Sequence, residues 1–469
     1  MTPAPKNLRG LPAVEILLQH PALAAARTAM PRFLLVEAVR AELAEERDAR
    51  RSGAPSASAD ALAERAVRRA ARSARPRLGR VLNATGVVLH TNLGRAPLAG
   101  PARTAVASVA AGYCSLEYDL ATGRRGDRGA GVERWLTRLT GAESALVVNN
   151  GAAGVLLALS ALAAGREVLV SRGELVEIGG SFRIPEILGK SGAILVEVGT
   201  TNRTHLADYE RALGRHDRVA AILRVHPSNF RIAGFAARPE LKELCALARQ
   251  KRVPVIEDLG SGALVDLGAV GLEHEPTVAE SLAAGCDVVT CSGDKLLGGA
   301  QAGLVLGRKR SIEKLRKEPL ARVLRLDKLA LAALEATLPL YADPERAMRE
   351  VPVLAMLALS AEELEGRARR LSEALSSRDP ELRLTVVRGE GEVGGGALPL
   401  QRLPGWVLEV EQEGRTAREL EALARSADPP VIGTIRGGRF RLDPRTLTDA
   451  EIDEVAGAIA RAISRPARR

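Results

Sequence analysis

Lys295 stands in the stretch TCSGDKLLGGAQAGLVLG, residues 290–307, with Asp294 before it, two leucines after it and glycines close on either side. Burial in such a setting disfavours the ammonium form and lowers the pKa, which turns the amine into a nucleophile near neutral pH. Ser292, three residues earlier, offers a hydroxyl suited to holding an anion. In VIEDLGSG an apolar run ends in Glu257 and Asp258. Asp258 there can serve a metal, a ribose hydroxyl or a protonated ring nitrogen, or cap the next segment. In VVNNGAAGVLLALSALAAG an apolar run passes through Asn149, Asn150, Gly151 and Ala152 into a helical pattern. The free N–H groups and positive dipole end of such a helix suit a phosphate. The motif is neither GxGxxG nor GxxxxGKS/T. Singly, each feature also reads as ordinary structure: a strand-to-helix turn, a capping aspartate, a lysine in a surface turn. In chain order they describe a pyridoxal phosphate site. Asn150, Gly151, Ala152 and Ser292 face the phosphate, Asp258 pairs with the pyridinium nitrogen, and Lys295 forms the Schiff base.

These groups must be delivered by the carboxyl ends of strands, where open α/β sheets bind ligands. From about residue 140 short apolar runs alternate with helical ones. The runs are 144–148, 167–171, 193–199, 219–225, 253–260, 287–293 and 302–307, and helices are expected at 152–164, 181–190, 238–250 and 277–284. Val/Ile-rich runs alternating with helices predict a largely parallel α/β sheet. Residues 11–50 and 61–75 carry helical periodicity on either side of the loop RSGAPSASAD, and RPRLGRVLNATG reads as a crossing segment. One or two helices are expected over 309–341. Beyond them come a helix at 345–376, strands near 382–388 and 406–410 flanking the loop GEGEVGGGALP, a helix at 416–425, strands at 430–435 and 438–442, and a helix at 448–464. The expected domains are 1–75 (helical and basic), 76–340 (large α/β) and 341–469 (small α+β). Residues 389–396 read as a plain flexible loop first, with an approach to the active site as the second reading.

Composition bounds the rest. The 469 residues are 46% hydrophobic and 26% charged, ordinary for a soluble globular protein. Cys114, Cys245, Cys286 and Cys291 show neither CxxC nor any metal-type spacing, which fits a reducing compartment and no metal site. The most apolar stretch, residues 145–165, holds two asparagines and several glycines, so membrane spanning is not expected. The first residues lack the apolar block of a signal peptide, and a cytoplasmic location is expected. The net charge is +10, and residues 1–80 hold 15 basic against 8 acidic residues. That excess fits a polyanionic partner such as RNA, or a solvated helical face.

Seven stretches, NATGVVLHTNLGRAPL, SRGELVEIGGSFRIPEIL, EVGTTNRTH, VHPSNFRIAGF, DLGSGALVDL, SGDKLLGGAQAG and DKLALAALEATL, resemble bacterial selenocysteine synthase, the L-seryl-tRNA(Sec) selenium transferase family. The resemblance runs from about residue 5 to about residue 465. It implies a fold-type-I pyridoxal-phosphate transferase that converts L-seryl-tRNA(Sec) to L-selenocysteinyl-tRNA(Sec) with selenophosphate, through a dehydroalanyl intermediate. It also implies a homodecamer built as a pentamer of dimers, with the N-terminal domain holding the tRNA. By the same resemblance Lys295 carries the cofactor, Asp294 matters for activity, and Arg95, Arg322 and Arg325 bind the anionic selenium donor. Arg322 and Arg325, three apart on an expected helix, would share a face. The family often reads Asn-Asn-Asn-Ala-Ala where this chain has NNGAA, which leaves open whether Asn149 or Asn150 touches the cofactor. His226 and residues of RGELVEIGG are candidates for stacking on its ring. The rival readings are a lyase of the same superfamily acting on an amino sugar acid, and a tRNA-binding protein without catalysis.

Overall fold

The computed structural model describes residues 10–74, 77–179, 182–232 and 234–463. Residues 181 and 464, expected at helix ends, lie outside the described residues, as do 75 and 76 at the expected domain boundary. The chain divides into two compact units, Met1–Arg80 and Val81–Arg469.

The first unit is helical: Val14–Leu18, Ala24–Ala29, Arg32–Arg51 and Ala59–Ala74. Leu35, Ala38, Val39 and Leu43 recur at helical spacing and are buried against Leu62, Ala63, Ala66 and Ala70. Two carboxylates share that buried face. Glu42 is met by Arg69 at 2.7 Å and Arg65 at 3.2 Å, and Glu46 by Arg50 at 2.9 Å and Arg65 at 3.1 Å. Part of the basic excess is therefore consumed inside the unit. Arg40, Arg47, Arg68 and Arg72 remain on its surface.

The second unit is built on a seven-stranded sheet. Its order is Ser144–Val148, Gly303–Gly307, Val288–Ser292, Val255–Gly260, Val219–Val225, Glu167–Ser171, Ile194–Val198. Neighbours run parallel except Gly303–Gly307, which is antiparallel to both of its partners. The central strands are buried along their whole length, as their unbroken apolar runs require. The register sets Val225 beside Asp258 and Asp258 beside Thr290, so the polar groups that end these strands emerge together.

Toward the C-terminus the expectations need correction. The helix expected at 345–376 is three helices, Pro344–Glu350, Pro352–Ala358 and Ala361–Ser376. Pro352 cannot continue the preceding helix, and Ser360 restarts the chain with a capping box to Glu363. The strand expected to end near 388 runs on as Leu382–Gly394, paired along most of its length with Arg402–Gln412, so most of the expected loop is sheet. The sheet's outer members are Val87–Leu89, parallel to Leu382–Gly394, and on the other side Arg439–Leu442 and Thr434–Arg436. Leu82–Asn83 likewise pairs with Val431–Ile432. The segment read as a crossing piece thus supplies strands to the far end of the chain.

Candidate active site

Asp258 and Lys295 leave the carboxyl ends of two adjacent strands and both are buried, Lys295 with 5% of its surface exposed. Thr290 Oγ1 donates to Asp258 Oδ1 at 2.9 Å and fixes the carboxylate. Burial pushes the Asp258 carboxyl up to about 6, although Thr290 and Lys295 pull it down. At Lys295 burial also leads, and the amine titrates below the ordinary lysine range despite Asp258 and Asp294 nearby. Desolvation outweighs both carboxylates and shifts Lys295 toward the unprotonated amine.

The phosphate end is formed by the helix Gly151–Ala163. Its N-cap, Asn150, spends its side chain on the N–H of Ala153 at 2.8 Å, which leaves the N–H groups of Gly151 and Ala152 facing forward. Ser292 stands over them. A Cβ placed on Gly151 would lie 2.7 Å from Ser292 Oγ, so only glycine keeps that space. The backbone N–H of Asn149 donates to Leu324 O at 3.0 Å.

Arg95 closes the site from another direction. Its Nη1 donates to both carboxylate oxygens of Asp294, at 3.3 and 3.2 Å, and the N–H of Ala96 donates to Asp294 O at 3.3 Å. Arg95 itself holds a left-handed φ of 62°, uncommon for a residue with a side chain. Above the lysine lies Gly396, φ 92°; a Cβ there would sit 2.5 Å from Lys295 Nζ. Residues 389–394 therefore continue a strand and residues 395–396 turn beside the reactive amine, so the segment is not a detached loop. His226 is beside the site, its N–H on Asp258 O at 2.9 Å and its Nε2 3.2 Å from Glu275.

Arg322 and Arg325 are not gathered with this set. They line a cleft of about 610 Å³ with Glu117, Arg125, Arg128 and Arg316, and neither Lys295 nor Arg95 lines it. Nor do they share a helix face. The helix Pro319–Val323 ends before Arg325, which instead bridges to Val148, because Asp327 caps a new helix at Lys328–Thr337. The cleft still adjoins the phosphate cup, since Val148 and Asn149 directly precede Asn150.

A primary amine, a buried carboxylate fixed by a threonine hydroxyl, and a hydroxyl over two free N–H groups match the aldehyde, ring nitrogen and phosphate of pyridoxal phosphate. The residues fit the group. Thr290 was missed from sequence, although its place two residues before Ser292 puts both on one face of the strand. Gly396 and Glu117 carried no comparable signal.

Residues 81–448 match the family profile L-seryl-tRNA selenium transferase, and residues 8–47 match selenocysteine synthase N terminal. The chain is 50% identical to the L-seryl-tRNA(Sec) selenium transferase of Geobacter metallireducens, over 96% of this chain and 98% of that protein. It is 49% identical to the one from Nitratidesulfovibrio vulgaris, over 97% and 98% respectively. The solved structure of D-glucosaminate-6-phosphate ammonia-lyase superposes with a TM-score of 0.56 at 22% identity, covering 82% of this chain and 96% of that one. That likeness is one of fold, and the architecture is fold-type I.

Proposed function

The chain belongs to the L-seryl-tRNA selenium transferase family, pyridoxal-phosphate enzymes that convert L-seryl-tRNA(Sec) to L-selenocysteinyl-tRNA(Sec), and from that footing we propose how its own residues divide the work. The observation that carries the assignment is the buried Lys295 between Asp258 and the cup of Gly151 and Ser292. When bound, pyridoxal phosphate supplies an electron sink for bond breaking at the serine Cα. Gly151, Ala152 and Ser292 hold its phosphate, Asp258 keeps its ring nitrogen protonated, and Lys295 carries it.

Burial lowers the pKa of Lys295, which equips its Nζ to take the proton from the seryl Cα. The same Nζ, then charged, is the proton source for the departing β-hydroxyl, which leaves poorly as hydroxide. Asp294 positions Arg95 at the reacting end. Selenium from selenophosphate bonds to Cβ as its P–Se bond breaks and water takes up the phosphoryl group to leave phosphate. Arg322 and Arg325 hold the donor's oxyanions in their cleft, as planar guanidinium forks suit phosphate, and Arg95 stands at the reacting end beside Asp294.

The helical unit of residues 10–74 takes the tRNA. Arg40, Arg47, Arg68 and Arg72 offer phosphate contacts on its surface, and helical RNA is held mainly through backbone and shape. The assembly is a homo-oligomer, a decamer by family resemblance. Exposed Tyr113, Tyr118 and Leu120 are apolar surface that a second copy would cover. Among the described residues no helix is long and apolar enough to cross a membrane, and a cytoplasmic place suits a tRNA substrate.

The deciding experiment supplies seryl-tRNA(Sec) and radiolabelled selenophosphate to the holoenzyme. Selenium esterified to tRNA, absent with Lys295→Ala, is the expected result. No incorporation beside an active control enzyme would sink the assignment in favour of a small-molecule lyase of the same fold.

A further inference from the structure

Glu117 is a single carboxylate held by three arginines. Its Oε2 is 2.7 Å from Arg125 Nη2, and its Oε1 is 3.1 Å from Arg128 Nε and 3.5 Å from Arg325 Nη1. Partial burial alone would raise this carboxyl, but Arg125 first, then Arg128 and Arg325, hold it below the usual range. Of the other basic residues that line the cleft, Arg316 is already answered, paired to Asp127 at 3.0 Å and Glu133 at 2.9 Å. Glu117 thus sits where three guanidinium groups converge, in the cleft that Arg322 also lines.

From this geometry we infer that Glu117 is an internal competitor for the anion site, its carboxylate occupying the guanidinium cluster until a phosphate-like dianion displaces it. The inference rests on the reading that the Arg322–Arg325 cleft takes the selenium donor. A carboxylate offers two oxygens and one negative charge, and a phosphate-type dianion offers three oxygens and more charge to the same forks. Both cannot share the cluster without like-charge repulsion in a half-enclosed cleft. Only the side chain has to move. The backbone of Glu117 is fixed, its carbonyl accepting from the N–H of Gly126 at 3.1 Å across a short hairpin. An internal competitor lowers the apparent affinity by the fraction of molecules in which the site is free. It also holds the arginines in a convergent arrangement while no donor is present, which lowers the ordering cost when one binds.

The test titrates inorganic phosphate into the full-length holoenzyme, in which the cofactor's own phosphate cup is already filled. Glu117→Gln removes the competing charge, so phosphate should bind about fivefold tighter or more. KM for selenophosphate should fall by a similar factor with cofactor absorbance unchanged. Glu117→Asp keeps the charge but is one methylene too short to span Arg125 and Arg325, and should also tighten phosphate. It serves as the second variant if the glutamine protein is unstable. Unchanged or weaker phosphate binding in both variants, with Arg325→Ala weakening it, would overturn the competitor and leave Glu117 a structural strut. Arg325→Ala binding phosphate as well as the parent would instead remove the donor-cleft reading on which the inference stands.

Discussion

Arg95 Nη1 lies 3.2 Å from Asp294 Oδ2, and the residue after Arg95 donates its N–H to the Asp294 carbonyl at 3.3 Å. Asp294 therefore grips the Arg95 turn by side chain and backbone together, one residue before the lysine. With Asp258 bonded to Thr290, the two aspartates near Lys295 have separate work.

If Arg95 and Asp294 act as one device, removing either should cost nearly the same. Asp294→Ala and Arg95→Ala are each expected to lower kcat on the order of 10²-fold with the cofactor's absorbance intact. The double variant should be little slower than the worse single one, as for residues that act as a unit. Multiplicative losses in steady-state kinetics would show that the pair is not coupled.

Gly396 is held at φ 92° with no room for a Cβ beside Lys295 Nζ. Gly396→Ala should strain the backbone by about 1–2 kcal/mol and weaken cofactor binding by about tenfold. Titration of the apoprotein with pyridoxal phosphate reads both effects when paired with a melting curve. A variant that binds cofactor as the parent does would mean that the glycine is not required at that position.

Asp258 titrates near 6 when folded, above its ordinary value of about 3.9 in the unfolded chain. The folded apoprotein therefore holds an extra proton between about pH 4 and 6. The stability it contributes is full at low pH and is lost as pH rises through 6. The loss is on the order of 2–3 kcal/mol at most. Asp258→Asn lacks this titration, so its apoprotein should gain in melting temperature over the parent between about pH 4.5 and pH 7.5. A difference that stays flat across that range would argue against a buried, protonating carboxyl.

The helical unit has its own core, centred on Leu35, Val39 and Leu62, and ends at Arg80. Deleting residues 1–80 should leave cofactor absorbance in place and abolish seryl-tRNA binding in a filter or mobility assay. Undiminished tRNA binding would move the RNA contact to the larger unit.

Lys295, Asp258 and the cup at Gly151 can be read from the chain because each is fixed locally: an apolar run sets the strand, and the next polar residue is at its end. The same logic finds Ser292. Gly396 cannot be read that way, because its meeting with Lys295 is a contact between segments about a hundred residues apart in the chain and a glycine run looks like any loop. Arg325 misleads for a related reason. The spacing RVLR satisfies a helix, yet Asp327 begins a new one and turns Arg325 toward Val148. The strands Leu82–Asn83 and Val87–Leu89 are only two and three residues long, too short to announce that their partners lie at 431–432 and 392–394.

That last pairing has a consequence for how the protein is made. On the ribosome residues 82–89 emerge early, the seven-stranded sheet is complete by Gly307, and Leu382–Gly394 arrives long afterwards. A nascent chain ending before Gly396 already holds the lysine, the aspartate and the phosphate cup, but with nothing over the amine. That side of the pocket is closed late, after the lysine, the aspartate and the phosphate cup have all been made.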